Sequence, residues 1–309
     1  MAVMFVRQLQ YLVAVAREGH FGRAAGVCQV SQPTLSAGIR RLEEELGLPL
    51  VIRSHRFLGL TDEGVRVLTW ARRMVADYDG LLQELSGTTQ GLCGLLRIGA
   101  VASAMPALSP LLNGFCARHP KVRVQVQPLR AGQVQRSLDE RDLDAAVTLG
   151  ALDPLNRVRS AALYEERYVF LGRSPAAHRD AIAWAEAANH PLCLLTPDTE
   201  TRRIVDSVLA TLGLSSQPRL EVGDFPAVWS QVRGGGWCSI VPHSYVEAID
   251  LPAGLAARPL VEPDRRSAVS LVIPDRDPPA PLAAALLRHA QPRAEPAAAP
   301  ADLHRHEPA

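Results

Sequence analysis

Between Phe21 and Leu46 two apolar stripes of helical period lie only a few residues apart, and each can be buried only against the other. Phe21, Ala24, Ala25 and Cys28 share one face of a first short helix, while Leu35, Ile39, Leu42 and Leu46 recur along a second. The second opens on Ser31-Gln32-Pro33-Thr34-Leu35-Ser36. Ser31 is a favoured N-cap, and Pro33 is tolerated in a first turn, where its missing N–H has no intrahelical partner to lose. The pattern predicts a helix-turn-helix whose exposed tip carries Gln32, Thr34 and Ser36, uncharged groups of the kind that hydrogen-bond base edges and phosphates. Arg40 and Arg41 follow one turn later. A plain amphipathic hairpin gives no reason for so polar a tip.

A chain of 309 residues is too long for such a unit alone, so at least one further domain follows. Hydrophobic residues at 47% with 21% charged suit a globular protein with a sizeable core and exclude disorder over most of the length. Lys plus Arg is 33 against 32 for Asp plus Glu, so no global positive field announces nucleic acid. The local balance does so modestly: residues 1–60 hold seven Arg and four Glu. The N-terminus lacks the pattern of a secretory signal, and the uncharged run from Ile98 to Ala117 contains Pro106 and Pro110, reading as a strand and a helix rather than a membrane span. Five cysteines, at 28, 93, 116, 193 and 238, show neither Cys-x-x-Cys pairs nor zinc-like spacing with His, which fits buried thiols in a reducing cytoplasm. No cofactor or metal is expected.

From Pro49 to Leu60 two short strands flank Arg53-Ser54-His55-Arg56, a basic wing tip placed to reach phosphate or the minor groove. A long helix is expected from Thr61 to about Ser86, with Asp62 and Glu63 favourable in its first turn. Leu68, Ala71, Val75, Tyr78, Leu82 and Leu85 alternate steps of three and four, an a/d seam that predicts pairing with a twin helix, hence a dimer and two half-sites. Gly87, Gly91 and Gly94 then make a hinge over 87–94. From Leu95 onward strands and helices alternate in an α/β pattern.

From Arg7 to about Arg73 the chain resembles the winged helix-turn-helix of the LysR-type transcriptional regulators. The resemblance rests on Arg7-Gln8-Leu9, Phe21 with Ala24-Ala25, Val30 through Ser36, Ile39 through Glu43, Leu46-Gly47, and Leu60-Thr61 with Gly64. Two departures bear on DNA preference: Ala37-Gly38, where many relatives carry a basic or amide residue, and His20 in place of Ser or Thr. Weaker motifs, Leu143 through Ala146, Arg167-Tyr168-Val169 and Gly236 through Pro242, extend the likeness to about residue 290.

The fold it implies is an N-terminal all-α winged helix-turn-helix (1–60) with a linker and dimerisation helix (61–86), then a two-lobed α/β effector domain like a type 2 periplasmic binding protein (95–290). Lobe 1 would take about 95–165 and 270–290, lobe 2 about 166–269. The residues implied for DNA binding are Ser31, Gln32, Pro33, Thr34, Ser36, Arg40, Arg53, His55 and Arg56.

In the relatives the loop after the first effector-domain strand contacts the effector's polar head. Here that loop contains Ala102 and Ser103, and Ser103 can also cap the next helix, whose N–H groups attract an anion. The second lobe offers Thr199, Thr201 and Arg202 at the matching cleft edge, the last able to hold a carboxylate through two hydrogen bonds. Many relatives carry Ser or Thr near Ala131. The implied partners are double-stranded DNA, a small-molecule effector, RNA polymerase and further copies of the chain, as homodimer or homotetramer.

The alternative within the family is a thiol-based redox sensor. The peroxide-sensing members carry a reactive Cys where this chain has Thr199-Glu200-Thr201, while Cys193 falls in an apolar strand that predicts an inert thiol. An enzyme reading finds no support: there is no Gly-x-Ser-x-Gly elbow, and Gly234-Gly235-Gly236 precedes a strand instead of following one. Residues 291–309, rich in Pro and Ala, read as a disordered tail in which His304 and His306 lack the further ligands a metal site requires.

Overall fold

The computed structural model describes residues 6–53, 57–150, 157–173 and 181–290. His55, Arg56 and the 291–309 tail lie outside the described residues. Three helices open the chain: α1 (Val6–Glu18), α2 (Phe21–Val27) and α3 (Gln32–Leu46). The antiparallel pair β1 (Val51–Arg53) and β2 (Phe57–Leu60) follows, then the long helix α4 (Asp62–Gln90). Leu9, Leu12 and Val15 of α1 meet Ala24 and Ala25 of α2 and Leu35, Ile39 and Leu42 of α3 in one core, as the two stripes require. Leu46, expected in that stripe, is exposed, because α3 ends there and Gly47 turns the chain away in the left-handed region (φ 70°).

Helix α4 begins where Thr61 caps it: the hydroxyl accepts from the Gly64 N–H at 2.9 Å and donates to the Pro49 carbonyl at 2.7 Å. Gly64 is required there, since a Cβ would stand 2.0 Å from the Leu50 carbonyl oxygen. The helix runs four residues past Ser86, so Gly87 does not break it; Gly91, at φ 77°, does. A single glycine lowers helix propensity by only about 1 kcal/mol, too little to end a helix.

The remaining chain forms two lobes. Its elements are β3 (Gly94–Val101), α5 (Met105–Arg118), β4 (Val122–Leu129), α6 (Val134–Asp139), β5 (Ala145–Leu149), β6 (Val158–Glu166), β7 (Tyr168–Arg173), β8 (Ile182–Ala183) and α7 (Trp184–Ala187). They continue with β9 (Cys193–Leu195), α8 (Glu200–Thr211), β10 (Leu220–Val222), α9 (Phe225–Gly234), β11 (Ser239–Pro242), α10 (His243–Glu247), β12 (Leu255–Val261), β13 (Ser267–Pro274) and α11 (Pro281–His289).

Lobe 1 is a five-stranded sheet in the order β4-β3-β5-β13-β6, parallel from β4 to β5 and antiparallel where β13 pairs with β5 and β6. Lobe 2 holds the sheet β11-β7-β12-β8 and the parallel pair β9-β10. The chain crosses between lobes at Arg167 and again between Val261 and Ser267, so lobe 1 reclaims the chain at 267 rather than 270. Periodicity alone does not reveal β6, β8, β10, β12, α7, α9 or α10. Helix α9 had a local signal: Asp224 caps it, accepting from the Ala227 N–H at 2.8 Å, and Pro226 sits in its first turn.

Candidate DNA-reading head and effector cleft

The tip of α3 stands out from the helical core. Ser31 caps it, accepting from the Thr34 N–H at 3.3 Å, and its hydroxyl lies 2.8 Å from that of Thr34. Gln32, Pro33, Thr34 and Arg40 are exposed and Ser36 is half-buried, so the polar tip faces solvent. The two departures from the family pattern have local causes. His20 Nδ1 accepts from the N–H groups of Gly22 (3.0 Å) and Arg23 (3.4 Å), doing the capping work of a Ser or Thr hydroxyl at the start of α2. Gly38 makes room for the buried ring of Tyr11, which would lie 2.6 Å from a Cβ.

The wing is tied to the same helix: Glu43 Oε1 accepts from the N–H groups of Leu50 (2.9 Å) and Val51 (3.1 Å). Arg53 closes β1, with its side chain, like His55 and Arg56, outside the described residues. Glu43 was in the family motif but carried no expected role; a carboxylate satisfying strand N–H groups seven and eight residues away is invisible to helical periodicity.

Helix α4 has two apolar faces, and the expected seam mixes them. Leu68 and Ala71 are buried in the chain's own core beneath α1, and Val75 packs against that core. This corrects their assignment to a dimer interface. Tyr78, Leu82 and Leu85 are exposed, and with them Trp70, Met74 and Leu81, which the seam omitted. Trp70, Met74, Tyr78, Leu81 and Leu85 form an exposed apolar stripe at steps of four, four, three and four. The Arg73 guanidinium lies 5.4 Å from the Trp70 ring centroid.

In lobe 1 the strand β3 ends in a single 3₁₀ turn, Ala102–Ala104, that leads into α5. Ser103 does not cap that helix: the cap position is Ala104, which offers no side-chain hydrogen bond. The Ser103 side chain is 2% exposed, and its Oγ has no hydrogen-bond partner among the described residues. A buried hydroxyl left unpaired costs about 1–3 kcal/mol. Helix α10 packs on the same turn and on α5. At its start Ser244 donates both its N–H (3.1 Å) and its hydroxyl to the buried Glu166, which also accepts from Tyr164 Oη at 3.0 Å. Three donors thus solvate a carboxylate at the interlobe crossover that sequence reasoning missed.

In lobe 2, Thr199 caps α8, accepting from the Arg202 N–H at 3.4 Å and donating to the Thr196 carbonyl at 2.9 Å. Thr201 is buried. Arg202 is not open to a ligand in the way expected of it. Its Nε lies 2.8 Å from Asp206, and one Nη lies 2.6 Å from Glu221 and 2.9 Å from the Leu195 carbonyl. Burial opposes its charge, but Glu221 and Asp206 outweigh burial and hold the pKa above the ordinary arginine value. The side chain bolts α8 to β10. Arg130, at the end of β4, reaches the second lobe instead, 2.8 Å from Asp198.

Burial pushes the thiols of Cys193 and Cys238 up, and that of Cys28 likewise against weaker opposition from Arg17 and Arg7. Each is therefore a thiol rather than a thiolate at neutral pH. No helix among the described residues is long and apolar enough to cross a membrane.

A winged reading head, a long helix with an exposed apolar stripe and a two-lobed α/β domain together define a DNA-binding regulator with a built-in sensing domain. Comparison with known proteins agrees. Residues 6–65 match the family described as bacterial regulatory helix-turn-helix protein, lysR family, and residues 89–295 match the LysR substrate binding domain. The hydrogen peroxide-inducible genes activator of Dickeya chrysanthemi is 27% identical over 272 residues, covering 87% of this chain and 89% of its own. A full-length OxyR variant from Pseudomonas aeruginosa is similar in structure, with TM-score 0.73 and 25% identity over 93% of this chain and 98% of its own. Full-length CbnR in complex with its target DNA shares the fold, with TM-score 0.64 and 22% identity over 93% and 99% of the two chains. The chain belongs to the LysR family: it is a DNA-binding transcriptional regulator, not an enzyme.

Proposed function

We propose that this regulator answers to a small metabolic anion, most simply a carboxylate, held between its lobes with Ser103 as a direct contact. The observation that carries the reading is the Ser103 hydroxyl, buried without a partner among the described residues beside the start of α5, where the helix N–H groups have no side-chain cap. A ligand oxygen would satisfy both orphaned donors at once, and the positive end of the helix dipole favours negative charge. Ala102, exposed beside it, and the Thr199–Thr201 turn would border the ligand, while Arg202 keeps that turn in place. Thiol sensing is the weaker alternative, since Cys28, Cys193 and Cys238 hold their protons.

On DNA, Gln32, Thr34 and Ser36 read base edges, with Ser31 and Pro33 shaping the tip, while Arg40 and the wing residues Arg53, His55 and Arg56 hold phosphates. The exposed stripe of α4 pairs two copies, and effector domains join dimers into a tetramer whose bend of the DNA governs access of RNA polymerase in the cytoplasm.

The test is calorimetric titration of the full chain with small mono- and dicarboxylates and their neutral amides. An acid should bind where its amide does not, and Ser103→Ala should weaken that binding about tenfold or more at unchanged thermal stability. Binding by neutral or cationic compounds alone, or equal affinity in the Ser103→Ala protein, overturns the reading.

A further inference from the structure

Helix α4 and lobe 1 exchange charges in both directions. Arg72 of α4 reaches Glu140 at 2.9 Å through one Nη and Asp142 at 3.0 Å through the other. In return Arg141, the residue between those two acids, donates to Asp77 at 2.5 Å and to the Arg73 carbonyl at 2.9 Å. Arg276, from beyond β13, lies 3.8 Å from the same Asp77 oxygen. The Arg72 side chain is only 15% exposed and its two acids are half-buried, so solvent screens these pairs less than ordinary surface ion pairs, whereas Asp77, the partner of Arg141, is largely exposed. Arg141 holds φ 57°, a backbone conformation that a residue with a Cβ takes where its surroundings over-determine it.

The same stretch of chain touches the cleft at its other end, where Arg130 meets Asp198 of lobe 2. Between these ends the segment is tied together. The Arg130 N–H donates to Gln133 Oε1 at 3.1 Å, and the Gln133 N–H returns to the Arg130 carbonyl at 2.8 Å. Helix α6 seats Val134 and Leu138 in the lobe 1 core. Its last turn then holds the charged loop, with N–H groups of Asp142 and Leu143 both donating to the Ser137 carbonyl at 3.0 and 3.2 Å. A stiff unit therefore carries an interlobe ion pair at one end and the linker-helix ion pairs at the other.

We propose that residues 130–142 are the lever that couples the interlobe cleft to the DNA-binding half, passing lobe movement through α6 to the Arg72–Glu140/Asp142 and Arg141–Asp77 exchange on α4. The inference rests on the sensing-cleft reading above, but not on which ligand enters the cleft. When the lobes shift, the Arg130–Asp198 pair forms or breaks, α6 moves with it, and the clasp on α4 tightens or loosens. A discrete, two-ended set of contacts of this kind gives one equilibrium that both the cleft and the linker helix can bias.

Hydrogen exchange on the full chain without any ligand tests this. Arg141→Ala should speed exchange of the α4 amides from Arg72 to Gly80 about tenfold. Arg130→Ala and Asp198→Ala, which touch nothing in α4, should each speed the same amides several-fold while leaving α5 and α11 unchanged. The double variant Arg130→Ala/Arg141→Ala should show no more than Arg141→Ala alone, because both act through one element. The conservative variant Arg141→Lys, which keeps the charge and a donor, should retain much of the protection, separating lost charge pairing from misfolding. Unchanged α4 exchange in both Arg130→Ala and Asp198→Ala, or full additivity of the double variant, overturns the lever. Because no ligand is used, this failure would leave the carboxylate site standing, and a failed ligand titration would leave the lever standing.

Discussion

Leu68 and Leu81 lie on the same helix with the same side chain, yet α4 assigns them opposite duties, and truncating each to Ala should break different things. Leu68 is 8% exposed inside the helical core, so Leu68→Ala leaves a cavity and should cost about 2–5 kcal/mol of folding stability in the N-terminal domain. Leu81 is 53% exposed on the apolar stripe, and little is lost from the isolated fold by trimming it. Full burial of a Leu side chain contributes about 1.5–3 kcal/mol, so covering the exposed half contributes about 1 kcal/mol per copy. In the proposed dimer a twofold axis places two copies of Leu81 in the interface, and Leu81→Ala should therefore weaken self-association by about 2 kcal/mol, roughly thirtyfold in Kd. Sedimentation equilibrium reads the association constant, and urea unfolding under conditions of fixed assembly reads the fold. Weakened association by Leu68→Ala with an intact fold, or no change in association for Leu81→Ala, would show that the stripe is on the wrong face.

Two further outcomes follow from particular contacts. Gly64→Ala adds a good helix former to α4, a gain of about 1 kcal/mol by propensity, but its Cβ would stand 2.0 Å from a backbone oxygen that no rotamer can move. Overpacking of about 1–3 kcal/mol should win, and a urea midpoint above wild type would refute that weighing. Asp144, Asp142 and Asp79 are all pushed up by burial, more than Arg97 and Arg72 pull them down. A carboxyl whose folded pKa is raised contributes stability that is full below the ordinary Asp value of about 3.9 and is lost as pH rises through the folded pKa. Asp144→Asn should therefore flatten the dependence of stability on pH above about 4, and an unchanged profile in thermal melts would count against it.

The parts of the molecule legible in the sequence are those written in local signals. Ser31, Pro33 and the stripe from Leu35 to Leu42 announce α3, because a cap and a helical period need no knowledge of what lies elsewhere. The seam on α4 was half legible for a related reason. Steps of three and four reveal apolar faces, but which face meets α1 and which meets a second copy depends on how the helix is laid down. The effector side was less legible still. Ser103 was expected to cap a helix whose first turn the 3₁₀ turn had shifted to Met105. Arg202 carried a warning in Asp206, four residues on, an ion pair visible in sequence; Glu221, its second partner, comes from a strand that periodicity did not reveal.

The junction at Thr61 and Gly64 limits what a bound effector can alter. The wing's Pro49 and Leu50 sit on the first turn of α4, and Glu43 ties the wing back to α3, so the recognition helix, the wing and the pairing helix turn as one body. Among the described residues no joint lies between the surface proposed to read bases and the stripe proposed to meet a second copy. A signal arriving along α4 can therefore rotate or separate two reading heads, yet it leaves the vocabulary of each head fixed. An effector of this regulator should thus change how far apart two half-sites must lie and how sharply the duplex between them curves, while the bases preferred within each half-site stay the same with or without it.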